Sequence, residues 1–348
     1  MVKNKPCHIL VIRFSALGDV AMTVPVLTAF QYRFPDTRIT FLTRPFYKPI
    51  FNGLENVHVE GADLKGKHKG IAGMGRLYSH LAKMEIDAVA DLHNVLRTKI
   101  LKKYFLLSKI PFVQIDKGRK EKRALTRPLN KKFGPLKSTF ERYADVFRQL
   151  GFDIDLEESR PQTRLPLSFE NKPDLKRSTA KWIGIAPFAA FRSKMYPLQE
   201  MEEVIAGLNN TNKYKLLLFG AGDEEVTVLK GFAEKYANAV NMAGVYTFQE
   251  ELAVISNLDL MVSMDSGNGH LAAMFDVPAV TIWGVTHPYA GFAPFGHDQS
   301  YSVLPDRNLF PLLPTSVYGN KFPKGYDKAI GTITPAQILD KIESVLTI

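Results

Sequence analysis

Short apolar runs alternate with helical patterns along the first half of the chain. The run at residues 9–12 (Ile-Leu-Val-Ile) is typical of a strand buried on both faces. A loop is predicted at 14–20, followed by a helix at 21–34 with Pro25 in its first turn, where proline is tolerated. Further strands are predicted at 38–42, 88–90 and 112–115. Strands that alternate with helices indicate a parallel sheet covered on both faces.

The same alternation restarts in the second half. Strands are predicted at 182–186, 215–219, 258–264 and 279–283, and helices at 200–208 and 224–236. Between the halves, residues 170–177 are rich in Pro, Asn, Lys and Asp, which is typical of a linker. The pattern predicts an α/β protein with one Rossmann-like parallel-sheet domain at 1–168, another at 178–330, and a cleft between them.

Length and composition agree with a two-domain globular protein. The 348 residues exceed what one hydrophobic core usually serves, and 45% of them are hydrophobic. The single cysteine, Cys7, excludes an internal disulfide and a cysteine-based zinc cluster. The N-terminal residues lack the features of a signal peptide, and no apolar run approaches the roughly 20 residues of a membrane span. We therefore expect a cytoplasmic protein.

Positive charge is concentrated in the first half of the chain. Residues 1–168 carry a net charge of +14, and residues 169–348 a net charge of −4. Most of the excess lies between Lys65 and Arg142, and it is densest within 117–137. Such a run is typical of a solvated loop. Binding of an anionic substrate or a membrane surface by the first half would also account for this concentration of positive charge.

The dense basic segment offers candidates for binding an anionic acceptor. We expect Lys120, Lys122 and Arg123 to contact such an acceptor. Nucleic acid is not expected as a partner, because aromatic residues are not interleaved with the cations and the segment belongs to no nucleic-acid module.

The turn after the apolar run at 258–264 has the composition of a ligand site. Asp265, Ser266, Gly267 and His270 stand where this run gives way to a helical pattern. Glycine lets a ligand approach the main chain, and the N–H groups at a helix N-terminus favour phosphate. The alternative is an ordinary corner in which the aspartate or the serine caps the helix.

Loops at other predicted strand ends also carry charged residues. Asp19 follows the first strand at the start of a helix, where it could simply be a first-turn acid. Lys194 and Glu224 follow two strands of the second half and could hold a diphosphate and a ribose hydroxyl. Open α/β sheets bind ligands at the carboxyl ends of their strands, so these residues are candidates for a nucleotide site.

Other nucleotide and metal motifs are missing or unconvincing. A dinucleotide oxidoreductase is disfavoured, because no G-x-G-x-x-G follows the first strand of either half, and Walker A is also absent. Asp153 and Asp155 imitate a metal-binding D-x-D motif, but their acidic, loop-like surroundings indicate solvated surface.

Six motifs are spread over nearly the whole chain. They are Ile12-Arg13-Phe14-Ser15-Ala16-Leu17-Gly18-Asp19 with Pro25, Asp91-Leu92-His93 with Arg97, Lys194 with Pro197, Gly220 to Glu224, Met264-Asp265-Ser266-Gly267 with His270, and Gly284-Val285-Thr286-His287-Pro288. In this order and spacing, the motifs resemble those of glycosyltransferase family 9, the heptosyltransferases. The resemblance implies a GT-B fold, in which the first domain binds the acceptor and the second binds a nucleotide-sugar. It also implies that a last helix within 331–348 packs back on the first domain.

The same resemblance implies inverting transfer of a heptose from an ADP-activated donor to the inner core of lipopolysaccharide. Asp19 corresponds to the general base, and Lys194 to the cation that stabilises the departing diphosphate. The expected donor-binding residues are Glu224, Asp265, Ser266, Gly267 and His270, and the expected acceptor-binding residues are Ser15, Gly18, His93 and Arg97, besides the three cations named above. No metal and no cofactor are expected. The expected partners are a nucleotide-sugar and an anionic lipid acceptor at the inner leaflet of the cytoplasmic membrane.

Several positions depart from the family pattern. Ala189 and Ala190 stand where members often have hydroxyl residues near the donor phosphates, Tyr196 stands where they have tryptophan, and His287 lies in a turn that resembles Thr-Asp-Pro. These departures bear on the donor more than on the reaction type. Two alternatives therefore stay open: a GT-B transferase with another nucleotide-sugar or a non-lipid acceptor, and a catalytically silent sugar-nucleotide-binding protein. The retained catalytic candidates argue against the silent protein.

Overall fold

The computed structural model describes residues 6–169, 175, 177 and 179–347. Within these residues the chain forms two compact units, each built around one parallel β-sheet. The first unit contains the chain up to Lys117 and Thr139–Gln162, and the second contains Gly118–Ser138 and the chain from Thr163 onward. No helix of the described part is long and apolar enough to span a bilayer.

The sheet of the first unit consists of five short strands. They are β1 (His8–Ile12), β2 (Arg38–Thr43), β3 (Val57–Gly61), β4 (Ala88–Asp91) and β5 (Phe112–Gln114). Their order is β3-β2-β1-β4-β5, and every pair is parallel. The four predicted strands are confirmed, and β1 is buried along its whole length at the centre of the sheet. The sequence did not predict β3, because His58 and Glu60 interrupt the apolar pattern of this edge strand.

The helices of the first half differ from prediction at one place. They are α1 (Leu17–Ala21), α2 (Val24–Arg33), α3 (Gly70–Leu81), α4 (Leu96–Leu107), α5 (Arg119–Thr126) and α6 (Thr139–Gln149). The helix predicted at 21–34 corresponds to α2, but the loop predicted at 14–20 is wrong over its last four residues, which belong to the separate helix α1. Pro25 has no N–H with which to continue the hydrogen bonds of α1, so a new helix begins with the proline in its first turn.

The second unit repeats the same architecture. Its strands are β6 (Lys181–Ala186), β7 (Tyr214–Leu218), β8 (Ala239–Asn241), β9 (Leu260–Met264), β10 (Ala279–Ile282) and β11 (Ser302–Val303). Its further helices are α7 (Leu198–Asn210), α8 (Asp223–Lys235), α9 (Phe248–Ser256), α10 (Gly267–Ala273) and α11 (Pro335–Leu346). The all-parallel order is β11-β10-β9-β6-β7-β8. The α/β class with two parallel sheets is thus confirmed.

The last helix, α11, packs in the second unit, which corrects the expectation that it returns to the first domain. Ile338, Ile342 and Val345 are buried in the core that covers the second sheet. α11 lies against α7, where a Cβ on Gly207 would come within 2.9 Å of Leu339 Cδ1. The apolar stripe of α11 therefore packs against α7 and the core of the second unit.

The basic segment Gly118–Ser138 also belongs to the second unit, although it lies within the first half of the sequence. Lys131 Nζ donates to the carbonyl oxygens of Leu312 at 2.8 Å and Pro314 at 2.6 Å. The N–H of Leu136 donates to the carbonyl oxygen of Tyr289 at 2.9 Å. Counted by unit, the net charge is +6 for the first and +4 for the second, so the predicted contrast between a basic and an acidic half is wrong at the level of the fold.

Most of the predicted linker at 170–177 lies outside the described residues. Arg177, which is described, packs its guanidinium over the ring of Trp182 with the carbon 4.7 Å from the centroid. Its Nη1 lies 2.7 Å from Oδ2 of Asp259, just before β9. The end of this stretch is therefore fixed to the second unit.

Candidate functional site

The strand order of each sheet reverses at one point. In the first unit the chain runs outward through β1, β2 and β3 and then returns to β4, beside β1. In the second unit it runs through β6, β7 and β8 and then returns to β9, beside β6. At such a reversal, the loops from two adjacent strands lead in opposite directions and leave a crevice, which is where open α/β sheets bind ligands. The main candidate residues follow these four strands.

An ion pair occupies the reversal in the first unit. Arg13 directly follows β1 and is buried, and its Nη2 lies 2.6 Å from Oδ2 of Asp19. Its Nη1 donates to the carbonyl oxygen of Leu92, after β4, at 2.8 Å. Oδ2 of Asp19 also accepts from the N–H of Ala16 at 3.2 Å, so the aspartate serves as a first-turn acid as well. Two donors hold Oδ2, and no described residue donates to Oδ1.

His93 lies on the other side of the same crevice, after β4. Its Nδ1 accepts from the N–H of Phe14 at 3.3 Å, and the two rings meet edge to face with centroids 5.8 Å apart. Because Nδ1 accepts, the proton of the neutral ring is on Nε2. Burial and the charges of Arg13 and Lys117 lower the pKa of His93 to about 3, so the imidazole is neutral at pH 7.

Asp91 holds the turn that carries His93. This fully buried carboxylate accepts at Oδ1 from the N–H groups of His93 at 2.9 Å and Asn94 at 3.0 Å. Its Oδ2 accepts from Gln114 Nε2 at 2.7 Å, and Gln114 accepts in turn from Lys102 Nζ at 3.1 Å. Asp91 therefore positions the histidine through the backbone.

The remaining acceptor candidates of the first unit lie at the same edge of the sheet. Ser15 precedes α1 and Gly18 lies in its first turn, and both are half-buried. Arg97 is exposed in the first turn of α4, four residues after His93. Ser15 and Gly18 lie close to Asp19 in sequence, and Arg97 follows β4, which is the neighbour of β1 in the sheet. Their roles in acceptor binding stay predictions.

Two residues of this cluster were not predicted to belong to the site. Arg13 is part of the matched motif, but no role was predicted for it. Tyr143, on α6, donates from its hydroxyl to the carbonyl oxygen of Asp19 at 3.3 Å. Burial lowers the pKa of Arg13, but Tyr143 and Asp19 raise it further, so that its pKa lies above the usual value. A cation directly after a buried strand is the signal that identifies Arg13, because a buried guanidinium needs a carboxylate. No local signal identifies Tyr143.

A second ion pair occupies the reversal in the second unit. Lys194 ends the 3₁₀ turn Arg192–Lys194 after β6, and Asp265 directly follows β9. Lys194 Nζ lies 2.9 Å from Asp265 Oδ2, and the side chains are only 13% and 10% exposed. Little water screens this pair, so each charge depends on the other or on a bound ligand.

Close backbone packing fixes the Lys194 turn. A Cβ on Gly284 would lie 2.0 Å from the carbonyl oxygen of Ser193, and one on Gly319 would lie 2.5 Å from Lys194 Cδ. The Ser193 hydroxyl donates to the carbonyl oxygen of Gly319 at 2.5 Å. Gly319 has a φ of +86°, which side chains rarely adopt. Gly284 was part of a matched motif, but the role of Gly319 becomes visible only in the fold.

The other donor candidates lie on loops at the same edge of the second sheet. Ser266 is the N-cap residue of α10 and Gly267 opens the helix, but the serine side chain makes no capping bond. Its Oγ is buried and has no hydrogen-bond partner among the residues that the structure describes. His270 is buried one turn along α10, and Glu224 is exposed in the first turn of α8, after β7. Ser266 thus occupies the N-cap position that the alternative interpretation gave it, but without the capping hydrogen bond from its side chain.

The three cations predicted to bind an acceptor lie on α5, in the second unit. Lys120 and Arg123 are exposed, and their role stays a prediction. Lys122 is buried, with Nζ 4.1 Å from the ring centre of Phe292, where the ring stabilises the ammonium. Lys122 is therefore packed against an aromatic ring of its own unit, and its contact with an acceptor stays a prediction.

The acidic pair at Asp153 and Asp155 has local structural partners. Asp155 accepts from the N–H of Glu157 at 3.0 Å and so caps a short turn. The Asp153 carboxylate lies 3.8 Å from Arg33. Within the described ranges, no group of three or more His, Cys, Asp or Glu side chains is arranged to hold a metal ion.

The sequence matches one protein family over more than half of its length. The profile of glycosyltransferase family 9 (heptosyltransferase) matches residues 74–310. The chain belongs to glycosyltransferase family 9. Among its relatives, the lipopolysaccharide core heptosyltransferase OpsX of Haemophilus influenzae is 22% identical over 292 residues, which cover 81% of this chain and 80% of that protein.

Solved structures of family 9 proteins share the fold. The glycosyl transferase family 9 protein of Veillonella parvula has a TM-score of 0.73 at 19% identity, with 100% of this chain and 98% of that chain covered. The Escherichia coli heptosyltransferase WaaC with ADP-2-deoxy-2-fluoro heptose has a TM-score of 0.65 at 18% identity, with 97% and 99% covered. The GT-B fold class predicted from the motifs is thereby confirmed.

Tyr196, one departure from the family 9 pattern, has a structural explanation. The ring is buried, and its hydroxyl donates to the carbonyl oxygen of Ile333 at 2.8 Å, which ties the loop after β6 to the chain before α11. The other departure in this loop, Ala189 and Ala190, has no explanation in the structure.

His287 also has a local role that explains its place in a family 9 turn. Its Nδ1 accepts from the N–H of Tyr289 at 3.1 Å and so caps the 3₁₀ turn Pro288–Ala290, which an aspartate carboxylate could do equally well. Burial and the charges of Arg307 and Lys131 lower the pKa of His287 to about 4, so the ring is neutral and able to accept.

Replacing His93 with asparagine is expected to make the fold less sensitive to acid. The imidazole titrates near pH 6.5 in the unfolded chain, but its pKa is about 3 in the folded protein. Between these pH values the unfolded chain binds a proton that the folded protein does not. The contribution of His93 to the free energy of unfolding is therefore fully present above pH 6.5 and is lost as the pH falls toward 3. One such proton corresponds to a slope of about 1.4 kcal/mol per pH unit.

Urea unfolding followed by far-UV circular dichroism at pH 7 and pH 5 measures this difference. Wild type should lose more stability between the two pH values than His93→Asn. The exposed His58 provides a control, and His58→Asn should behave as wild type does. An equal loss in wild type and His93→Asn would contradict the buried, neutral state of His93.

Proposed function

We propose that this protein transfers a heptose from ADP-heptose to the inner core of lipopolysaccharide, with inversion at the anomeric carbon and without a metal ion or other cofactor. The observation that carries the proposal is the pair of charged clusters at the two strand-order reversals. One holds an acid by a buried arginine, and the other holds a lysine by a nearly buried aspartate. Membership of family 9 supports glycosyl transfer as the reaction.

The donor site is proposed to lie at the reversal of the second unit. WaaC, which has a similar fold, was solved with ADP-2-deoxy-2-fluoro heptose. In this chain, Lys194 offers a cation and Ser266 offers a buried hydroxyl that lacks a partner among the described residues. Leaving a buried hydroxyl unpaired costs about 1–3 kcal/mol, which a phosphate oxygen would recover. We assign the diphosphate to these two residues and the ribose hydroxyls to the exposed Glu224.

Asp19 is the proposed general base. The acceptor oxygen attacks the anomeric carbon and its proton passes to Asp19, while the bond from that carbon to the diphosphate breaks with its electron pair on the phosphate oxygen. Arg13 and the N–H of Ala16 both engage Oδ2, which leaves Oδ1 to take the proton. His93, with its proton on Nε2, is proposed to orient the acceptor from the other side of the crevice.

Lys194 is proposed to stabilise the departing ADP. Negative charge on the diphosphate grows as the glycosidic bond breaks, so a nearby ammonium lowers the energy of the transition state more than that of the bound donor. Asp265 keeps the ammonium in place before the donor arrives. This cation supplies the charge stabilisation that a metal ion would otherwise provide, which is why we propose a metal-independent reaction.

The acceptor is proposed to be an anionic lipid that the enzyme meets from the cytoplasm, at the inner leaflet of the cytoplasmic membrane. OpsX is described as a lipopolysaccharide core heptosyltransferase. The exposed Arg97 follows β4, at the edge of the sheet that holds Asp19. This cation favours a phosphorylated acceptor in the first unit.

Asp19→Asn is expected to abolish transfer with little change in affinity for ADP. A positioned base contributes roughly 10²–10⁴-fold to a rate, and Asp19 belongs to the first unit whereas the proposed diphosphate contacts belong to the second. Release of ADP in the presence of a core acceptor measures turnover, and titration calorimetry measures the affinity for ADP. The exposed Asp36 provides a matched control, and Asp36→Asn should retain activity.

Activity of Asp19→Asn within about threefold of wild type would remove Asp19 from this role. If His93→Asn then lost activity and kept its affinity for ADP, the imidazole would be needed to orient the acceptor and another group would be the base. If both variants stayed active, the base would not lie at the reversal of the first unit.

Lys194→Gln is expected to lower kcat by about 10²–10³-fold, because an interaction that strengthens in the transition state is lost. A rise in KM for the donor with unchanged kcat would show uniform binding instead and would contradict a role in leaving-group stabilisation. The measurement is a full kinetic series against donor concentration at saturating acceptor.

Two further variants separate chemistry from folding. Arg192→Gln changes an exposed cation in the same turn and should leave kcat within about twofold. Lys194→Gln combined with Asp265→Asn removes both charges, so that neither is left buried and unpaired. The double variant should be as stable as wild type to within about 1 kcal/mol and as slow as the single variant.

A further inference from the structure

Helix α4 has two apolar faces, and only one of them meets the core of the first unit. Thr98, Leu101 and Phe105 are buried and define the inner face. On the outer side, Leu96, Leu106 and Leu107 are 75%, 51% and 82% exposed. Three exposed leucines on one helix of twelve residues are not explained by packing within the unit.

The outer face is regular as well as apolar. Leu96, Lys103 and Leu107 are spaced at i, i+7 and i+11, which places them in one exposed stripe along the helix, whereas Ile100 beside them is partly buried against the core of the first unit. Lys99 lies beside this stripe and, like Lys103, is exposed. The face therefore combines leucine side chains with flexible cationic side chains, which is the composition of a helix that lies in a membrane interface.

Charge around α4 has one sign. The helix contains four Lys or Arg residues and no acid. Residues 65–109, which include α3 and α4, contain ten Lys or Arg and three Asp or Glu. α3 packs alongside α4, with the rings of Tyr78 and Tyr104 stacked at 5.2 Å, and it exposes a further large apolar side chain, Ile71. Such a surface complements an anionic bilayer and repels a basic protein partner.

We propose that the outer face of α4 is the surface by which this enzyme lies on an anionic phospholipid bilayer, with its leucines inserted below the headgroups and Lys99 and Lys103 among the lipid phosphates. α4 begins three residues after His93, so its first turn lies at the edge of the sheet that holds the candidate acceptor site. Docking by this helix brings that edge to the membrane, where a lipid-anchored acceptor is found. The inference deepens the proposed function and rests on it for the nature of the acceptor.

Helix α5 is less suited to the same role, although its sequence is more basic. Its inner residues, Lys122 and Leu125, are buried in the second unit. Its exposed residues are the cations Arg119, Lys120 and Arg123, without an exposed leucine in the helix. Charge alone attracts a protein to a membrane surface, but insertion of apolar side chains is needed for it to stay bound when salt screens that attraction.

The test is co-sedimentation of the full-length enzyme with vesicles of phosphatidylglycerol and phosphatidylethanolamine. Lys99→Gln with Lys103→Gln should weaken binding roughly fivefold per lysine at low salt, or about 30-fold for both. Leu106→Gln with Leu107→Gln should weaken it at least about tenfold, at high salt as well as at low salt. Vesicles of phosphatidylcholine alone should bind wild type weakly.

Matched variants distinguish this helix from the rest of the surface. Leu129→Gln with Leu309→Gln changes two exposed leucines elsewhere and should bind as wild type does. Lys120→Gln with Arg123→Gln tests α5, and loss of binding there without loss in the α4 variants would overturn the proposal. Wild-type binding by both α4 variants would overturn it too. A sedimentation-velocity experiment in which the α4 variants only converted a dimer into monomers would overturn the proposal as well.

A water-soluble, delipidated core acceptor separates this inference from the proposed function. The α4 variants should transfer heptose to it as fast as wild type and should be slow only toward acceptor embedded in vesicles. If wild type transferred to no acceptor but bound vesicles through α4, the proposed function would fail and the docking surface would stand. If transfer occurred and the α4 variants used the embedded acceptor normally, the docking surface alone would fail.

Discussion

The reversal of strand order within each parallel sheet is the constraint on which the rest of the structure depends. Because all strands are parallel, their carboxyl ends lie along one edge, and the loops that leave the two central strands diverge from a common crevice. In the first unit this brings the residues after β1 next to those after β4, and in the second it joins the residues after β6 and β9. Side chains far apart in sequence thereby share one small region.

Each crevice holds an ion pair whose net contribution to the stability of the fold is small. A buried charge loses its hydration energy, and attraction to a partner charge offsets only part of this loss. Because a buried charge needs a partner, one oxygen of Asp19 is held against Arg13, and the ammonium of Lys194 is held against Asp265. An anionic donor that approached Lys194 would meet a cation already placed, so little reorganisation would be needed during the reaction.

Sequence predicted those features that depend on local information. β1 and β9 are apolar runs of strand length, and Asp19 and Asp265 follow them directly. Which unit residues 118–138 pack on could not be predicted in this way, because a basic, loop-like pattern looks the same on either unit. The tertiary hydrogen bonds of Lys131 place this segment on the second unit. The amphipathic pattern of α11 likewise shows that one face is buried but not against which helix. Exposure of the outer leucines of α4 depends on which face of that helix the core of the first unit covers.

The most direct test of this account is to identify the product. Purified enzyme would be incubated with a heptose-free lipopolysaccharide core in the presence of a chelator. Separate reactions would contain ADP-heptose, ADP-glucose, UDP-glucose or GDP-mannose as the donor. The core would then be analysed by mass spectrometry and NMR. The account predicts addition of one heptose from ADP-heptose alone, with the anomeric configuration opposite to that of the donor. Transfer from another nucleotide-sugar, retention of configuration, or activity that appears only when Mg²⁺ is restored would contradict it.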